Sequence, residues 1–368
     1  MSSIGRLQKY TNVLIIGLIA YFILTNFKYF FIPIALAFLT SYLIYPLVEF
    51  LEYKLKFKRL FAVLVSIFIL IIFSISIGTF FISQFKILIS DLPSLKIQVH
   101  NKISFFQSII EQKTNFSILE QNEFVKNKIK DFWDSADKLI GYIVKQIANL
   151  ITILLFIPIF SAFMLLYKER WKNFILKIAK ERNKLITEIL LEKISKITLK
   201  YMLGVITVCA ILATSHSTFL ILIGAKYPIL IGILAACVSI IPYFGTLLSS
   251  IIPLTFSILI SPNPYEPIYI LTYWLAINSV DNNILTPTIT GGNVNLNPLI
   301  TIIALILGAT LWGIAGMIVA IPFIGIIKII CDHVPGLEPY GYFLGIEKKK
   351  ISISELRKRV KDRKIKKQ

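Results

Sequence analysis

Long apolar runs separated by polar breaks dominate the chain. A helix crossing the hydrocarbon core of a bilayer needs roughly 20 mostly apolar residues. The first such run covers about 10–27 and follows Arg6 and Lys9. A basic start before an apolar stretch also opens a signal peptide, but no small-x-small cleavage site follows, so this run is read as a retained span. Further runs cover about 29–51, 60–85, 147–167 and 201–223. Three longer, broken stretches close the series at 228–260, 267–285 and 298–330. The pattern predicts an all-α, polytopic helical membrane protein with about eight transmembrane helices, broken or re-entrant in the C-terminal half.

Two segments carry a helical rather than a continuous apolar pattern. Between the third and fourth runs, Val125, Ile129, Phe132, Ala136, Leu139 and Ile143 recur at spacings of four and three. They form one stripe of a helix, with Lys126, Lys128, Lys130, Asp131, Asp134 and Asp137 off it. That stripe packs on its own region or on a neighbouring subunit. After the fourth run, Phe174, Ile178, Leu185 and Ile189 mark the apolar side of a second amphipathic stretch. The layout is therefore three N-terminal spans (1–85), a polar helical region (86–146), a fourth span (147–167), a basic interfacial helix (168–200), a C-terminal core of motif-bearing helices (201–332) and a basic tail (333–368).

Composition adds the charge. The chain of 368 residues is 56% hydrophobic and only 16% charged, yet its 39 Lys and Arg exceed 20 Asp and Glu by nineteen. Such apolar bulk excludes a disordered chain, and the long apolar runs argue against a soluble nucleic-acid binder. Three Cys, at 209, 237 and 331, are too few for a disulfide framework. Residues 168–200 hold ten basic residues against four Glu, and the tail beyond Gly345 holds eleven against three acids, which leaves fourteen of the nineteen excess charges in two segments. Lys and Arg accumulate in cytoplasmic loops, and basic segments beside spans gain from anionic headgroups. Both termini are thus expected in the cytoplasm, with 86–146 outside the membrane on the far side. In an eight-crossing count the 261–266 loop falls on the cytoplasmic side and the 281–298 connection on the far side.

The chemistry concentrates in the last third. In Ile241-Pro242-Tyr243-Phe244-Gly245-Thr246 a Pro and a Gly interrupt an apolar stretch. Freed backbone groups at membrane depth must be buried in protein or line a wet cavity, and such breaks recur at transporter binding sites; a simple Pro kink is the other reading. Asp281-Asn282-Asn283 leads through Pro287 and Gly291 to Asn297-Pro298. Asp281 is a candidate for cation or proton binding or for orienting a polar solute, unless it sits in an exposed loop. In the final run Ala304, Gly308, Gly316 and Ala320 fall at multiples of four, a small-residue face that permits close helix contact. Trp312-Gly313-Ile314-Ala315-Gly316 fits the tip of a re-entrant hairpin whose second arm Pro322 breaks. His216, within Thr214-Ser215-His216-Ser217-Thr218, is either a proton relay or a hydrogen-bonding group between helices. Glu49 snorkels to the interface, and Asp332 and His333 have no assigned role. No Walker-type loop, H-E-x-x-H, C-x-x-C or G-x-S-x-G occurs. With no nucleophile–base pair either, neither an enzyme nor a cofactor or metal site is expected.

Taken together, Ile241-Pro242-Tyr243-Phe244-Gly245, Asn295-Leu296-Asn297-Pro298-Leu299 and the run from Gly308 through Trp312-Gly313-Ile314-Ala315-Gly316-Met317 to Pro322 resemble the autoinducer-2 exporter family, in its permease-like branch. The resemblance covers the layout of nearly the whole chain, while its motifs lie within about 240–325. It implies a homo-oligomeric secondary transporter or exporter of a small polar solute, coupled to H+ or Na+. Some members are linked to autoinducer-2 export and others to sodium or lithium/proton antiport. By position, Pro242, Tyr243 and Gly245 match the first motif, Pro287 and Gly291 the turn before the final run, and Pro298, Gly308, Gly313, Gly316 and Pro322 the last. Thr246 stands where the family often has Pro. A membrane scaffold that docks partners through 86–146 and the tail is the competing reading of another class.

Overall fold

A computed structural model describes residues 3–114, 155–179, 184–241, 245–290 and 295–346, with isolated positions at 117, 128, 130, 131, 134, 135 and 138. The stripe from Val125 to Ile143 and the tail beyond Ile346 lie outside the described residues. Regular structure among the described residues is helical, apart from one β-bridge between Leu296 and Gly345. The helices are α1 (Ser3–Asn26), α2 (Lys28–Tyr53), α3 (Arg59–Ser90), α4 (Leu92–Lys113), α5 (Leu155–Leu166), α6 (Lys168–Ile178), α7 (Lys184–Leu222), α8 (Pro228–Ser239), α9 (Gly245–Ile260), α10 (Glu266–Val280), a π-helix (Asp281–Thr290), α11 (Pro298–His333) and α12 (Glu338–Leu344). By length and apolar content four of them, α2, α3, α7 and α11, could cross a membrane, although α11 is interrupted at Trp312 and Gly313.

Packing follows from where apolar side chains meet. Ile44, Val48 and Leu51 of α2 bury against Ala62, Val63 and Ile67 of α3 and Leu165 of α5. Leu220 of α7, Ile231 and Ala235 of α8, and Ile270 and Trp274 of α10 form a second core. Ala35 and Leu39 of α2 meet Val319 of α11 in a third. Outward faces stay apolar: Leu14, Leu18 and Phe22 on α1 and Phe68, Phe73 and Ile75 on α3 are all exposed. A shell of exposed Leu, Ile and Phe around a buried interior is the surface a protein presents to lipid. The chain is a multi-pass helical membrane protein.

Contacts sort the connections onto two ends of the bundle. At the basic end, Arg59 Nη2 donates to the Leu165 carbonyl at 2.8 Å and Lys168 Nζ lies 3.4 Å from the Tyr45 ring centroid. Lys193 contacts His333 at 3.1 Å, and Asn297 N donates to the Leu344 carbonyl at 2.9 Å. At the far end, the Tyr227 hydroxyl donates to Asp91 Oδ2 at 2.7 Å, and Lys102 Nζ donates to the Ser261 carbonyl at 2.7 Å.

Two expected positions change as a result. The 261–266 loop belongs to the far end, and the segment entering α11 at 295–297 belongs to the basic end. The reason is that 228–260 and 298–333 each fold back on themselves. At about 1.5 Å per residue, the 12-residue α8 and 16-residue α9 reach only about 18 and 24 Å, short of the roughly 30 Å hydrocarbon core. The basic segment also divides differently. Residues 184–200 form the first half of the 39-residue α7, where Leu190 and Ile194 pack on Ile329 rather than lying at a surface. Only α6, with Trp171, Phe174 and Ile178 exposed, keeps the form of an interfacial helix.

Candidate functional site

The two hairpins enter from opposite ends and share α7 as a wall. Hairpin 1, α8–α9, starts and finishes at the far end. Pro242 and Tyr243 lie outside the described residues, and its second arm opens at Gly245. The Gly245 amide donates to the Ile241 carbonyl at 2.7 Å, and a Cβ there would come 2.7 Å from Ser239 Cα. Along α8, a Cβ on Gly232 would come 2.6 Å from the Ser217 amide of α7, so glycine sets the closeness of these two helices.

Hairpin 2 is α11 itself. Trp312 (φ −134°, ψ 15°) and Gly313 (φ 62°, ψ −137°) leave helical geometry and turn the chain back toward the basic end. Side chains with a Cβ rarely adopt the Gly313 conformation. A Cβ on Gly308 would come 2.5 Å from the Gly316 carbonyl oxygen, so the small-residue face meets itself across the hairpin. Trp312 Nε1 donates to the Leu24 carbonyl of α1 at 2.9 Å, which fastens the tip. Pro322 is buried in the second arm, which remains helical through it.

Asn297 caps α11, its Oδ1 accepting from the Leu299 amide at 3.0 Å, and Pro298 takes the first helical position where no amide is missed. The segment 295–297 pairs with the chain beyond α12: Leu296 bridges Gly345, and Ile346 N donates to the Asn295 carbonyl at 3.2 Å. Beneath this pairing Lys328 donates to Asp332 Oδ2 at 2.5 Å. Asp332, assigned no role from sequence, is thus the counter-ion of a buried lysine, and His333 contacts Lys193.

Alongside α7 and hairpin 1 runs the ladder of α10 and the π-helix, antiparallel to α7. Asp281 opens the π-helix and is 4% exposed, so it is not a loop residue. Its Oδ1 accepts from Thr286 Oγ1 at 2.8 Å; the five-residue separation matches the wider π turn, a geometry often found at functional sites. Gly204 of α7 lets this ladder approach, since a Cβ there would meet Thr290 Cγ2 at 2.9 Å. Asn282, Asn283 and Pro287 face outward, away from Asp281, and Asn283 Nδ2 is bonded to the Ser279 carbonyl at 2.8 Å. Gly291 lies outside the described residues.

His216 sits higher on α7, buried at 1% exposure and stacked on Trp274 with centroids 4.6 Å apart. Its Nδ1 lies 3.1 Å from the Tyr273 hydroxyl, which also meets Ser215 Oγ at 2.7 Å. Trp274 Nε1 donates to Ser249 Oγ of hairpin 1 at 3.1 Å. This network ties α7, α10 and hairpin 1 together, and the His216 Nε2 has no hydrogen-bond partner among the described residues. His216 and Asp281 have separate partners and form two centres.

Sequence reasoning did not single out Glu266. It is 6% exposed, in the first turn of α10, and its carboxylate accepts from the Ser261 hydroxyl. The signal available was that Glu266 is the one charged residue in the 261–266 loop.

The family model described as AI-2E family transporter matches residues 11–336. Two Bacillus subtilis (strain 168) proteins named "Putative transport protein", YrrI and YueF, are each 24% identical; the alignments cover 83% and 81% of this chain and 87% and 82% of theirs. The AI-2 transport protein TqsA of Escherichia coli (strain K12) is 32% identical over 114 residues, 31% of this chain and 33% of that protein. The match over nearly all of its helices places the chain in the AI-2E transporter family.

Proposed function

We propose that the protein is a secondary transporter that exports a small polar solute across the bacterial inner membrane, with its basic end in the cytoplasm. The observation behind this reading is the opposed pair of hairpins on one wall: the arms of hairpin 1 are too short to cross, and hairpin 2 turns back at Gly313. Backbone turns at membrane depth persist only inside protein or beside a wet cavity, so a pathway between them accounts for both. Pro242, Tyr243, Gly245, Asn297, Pro298, Gly308, Gly313, Gly316 and Pro322 shape that pathway, and Asp281 is the coupling group. H+ or Na+ drives transport, and the functional unit is a homo-oligomer in contact with anionic headgroups along α6.

Purified protein in liposomes should move at least one member of a polar-metabolite panel, autoinducer-2 among the first tested, with a rate that depends on a proton gradient. A well-folded preparation that moves none overturns the reading. Sodium or lithium/proton antiport is the second reading, favoured by the buried Asp281 carboxylate and the neutral Thr286 hydroxyl that it accepts. It requires that sodium or lithium added to acid-loaded vesicles dissipate the pH gradient.

A further inference from the structure

A cavity of about 600 Å³ opens at the far end between both feet of hairpin 1, the end of α7, the start of α10 and Gln98 of α4. Leu220, Ile231 and Ile270 separate it from the His216 and Trp274 pair one helical turn deeper.

Its polar groups are unevenly partnered. Glu266 accepts from the neutral Ser261 hydroxyl, and among the described residues no Lys, Arg or His lies within ion-pair distance of it. Lys226, itself in the cavity lining, lies 3.9 Å from Asp91, and Lys102 donates to the Ser261 carbonyl, so each lysine has a partner other than Glu266. Ser257, 3% exposed and in the cavity wall, has an Oγ with no hydrogen-bond partner among the described residues. A buried carboxylate is normally paired with a cation. Cation-accepting chemistry is therefore present without its cation.

The volume decides which cation fits. Cavities of roughly 300–1,000 Å³ hold small organic molecules, whereas a bare metal ion fills a small fraction of that. The wall carries Gln98 and Lys226 as well as Glu266 and Ser257, and its apolar part includes Phe256, Ile260 and Ile270. We propose that this cavity binds a small organic amine, its protonated nitrogen on Glu266 and Ser257 and its hydrocarbon body against Phe256, Ile260 and Ile270. As the class of solute released at the far end, this rests on the transport reading; as a binding site, it is measured without transport.

The test uses the full chain in lipid nanodiscs and phenethylamine as probe, with 2-phenylethanol as its neutral counterpart. Saturable phenethylamine binding is expected, at least tenfold weaker in E266Q, partly restored in E266D, and undisturbed by sodium. The alcohol should bind wild type and E266Q alike. No amine binding to wild type, equal binding to E266Q, or displacement by sodium overturns the proposal. Should E266Q not assemble, Ser257→Cys in a background lacking Cys209, Cys237 and Cys331 supplies the second measurement. A cationic thiosulfonate added from the far end should label it at least tenfold faster than an anionic one, and equal rates overturn the proposal. Amine binding without flux of any solute sinks the transport reading alone, while solute flux without amine binding sinks this one alone.

Discussion

Gly308 and Gly316 face each other across hairpin 2 so closely that a Cβ on Gly308 would come 2.5 Å from the Gly316 carbonyl oxygen. Eight residues apart, they would lie about 12 Å apart along a straight helix; the turn at Trp312 and Gly313 brings them together.

Alanine at either position forces the arms apart. Such overpacking costs about 1–3 kcal/mol, and G316A and G308A should lower the thermal transition of the purified protein and reduce flux together. On α1 and α3, a Cβ added to Gly17 or Gly78 would meet nothing within 4 Å. G17A and G78A should leave stability unchanged or raise it by up to about 1 kcal/mol through helix propensity. Equal losses in all four variants would mean that the close approach has no energetic weight.

Gly313 separates conformational strain from crowding. A Cβ there meets nothing within 4 Å, yet φ is 62°. G313A should cost about 1–3 kcal/mol by backbone strain alone, and G313V no less. A neutral G313A in thermal unfolding would remove the argument that glycine is required at the tip.

Asp281→Asn keeps an acceptor for the Thr286 hydroxyl, so the π-helix should persist and the variant should fold. If Asp281 couples transport to an ion, D281N loses the pH dependence of flux while solute binding survives. Normal transport with an unchanged pH profile in liposomes would exclude that role.

The Lys328–Asp332 pair anchors the base of hairpin 2, with the lysine 9% exposed. D332N leaves a buried ammonium without its counter-ion, a loss of several kcal/mol for a fully buried pair, reduced here to about 1–2 kcal/mol because the Asp332 side chain is one-third exposed. Increased protease cutting near 295–297 is the expected readout, with K328M/D332L milder than D332N. An order reversed between those two variants would contradict the assignment.

Tyr227 supplies a pH prediction at the far end. Burial, then the bond to Asp91, raises its phenol above the ordinary value. Folding therefore favours the protonated form. The stability this provides is complete below the unfolded value of about 10 and is lost as pH rises toward the folded one. Wild-type thermal stability should fall above about pH 10 more steeply than that of Y227F. Parallel curves would show that the Tyr227–Asp91 contact contributes nothing.

Much of this was legible in the residues. Apolar runs gave the helices, Lys and Arg distinguished the ends, and Trp312-Gly313 marked a turn. What one-dimensional pattern lacks is direction: 228–260 reads alike whether it crosses or doubles back, because apolar content is the same in both. Only the distant contacts Lys102–Ser261 and Asn297–Leu344 decide it. Asp281 stood out as a carboxylate among apolar runs, whereas Asn282, Asn283 and Pro287 shared its segment but face outward. Glu266 was passed over because its burial depends on residues of α4, α7 and hairpin 1 that approach it only in the folded chain.

The pairing of 295–297 with 344–346 imposes an order on biogenesis. The entry to hairpin 2 leaves the ribosome some fifty residues ahead of the strand that seals it, a delay of roughly 3–10 s at 5–20 residues per second. Hairpin 2 is itself complete only at His333, twelve residues before Gly345, so its finished arms wait roughly 0.6–2.4 s for the segment that pairs with their base.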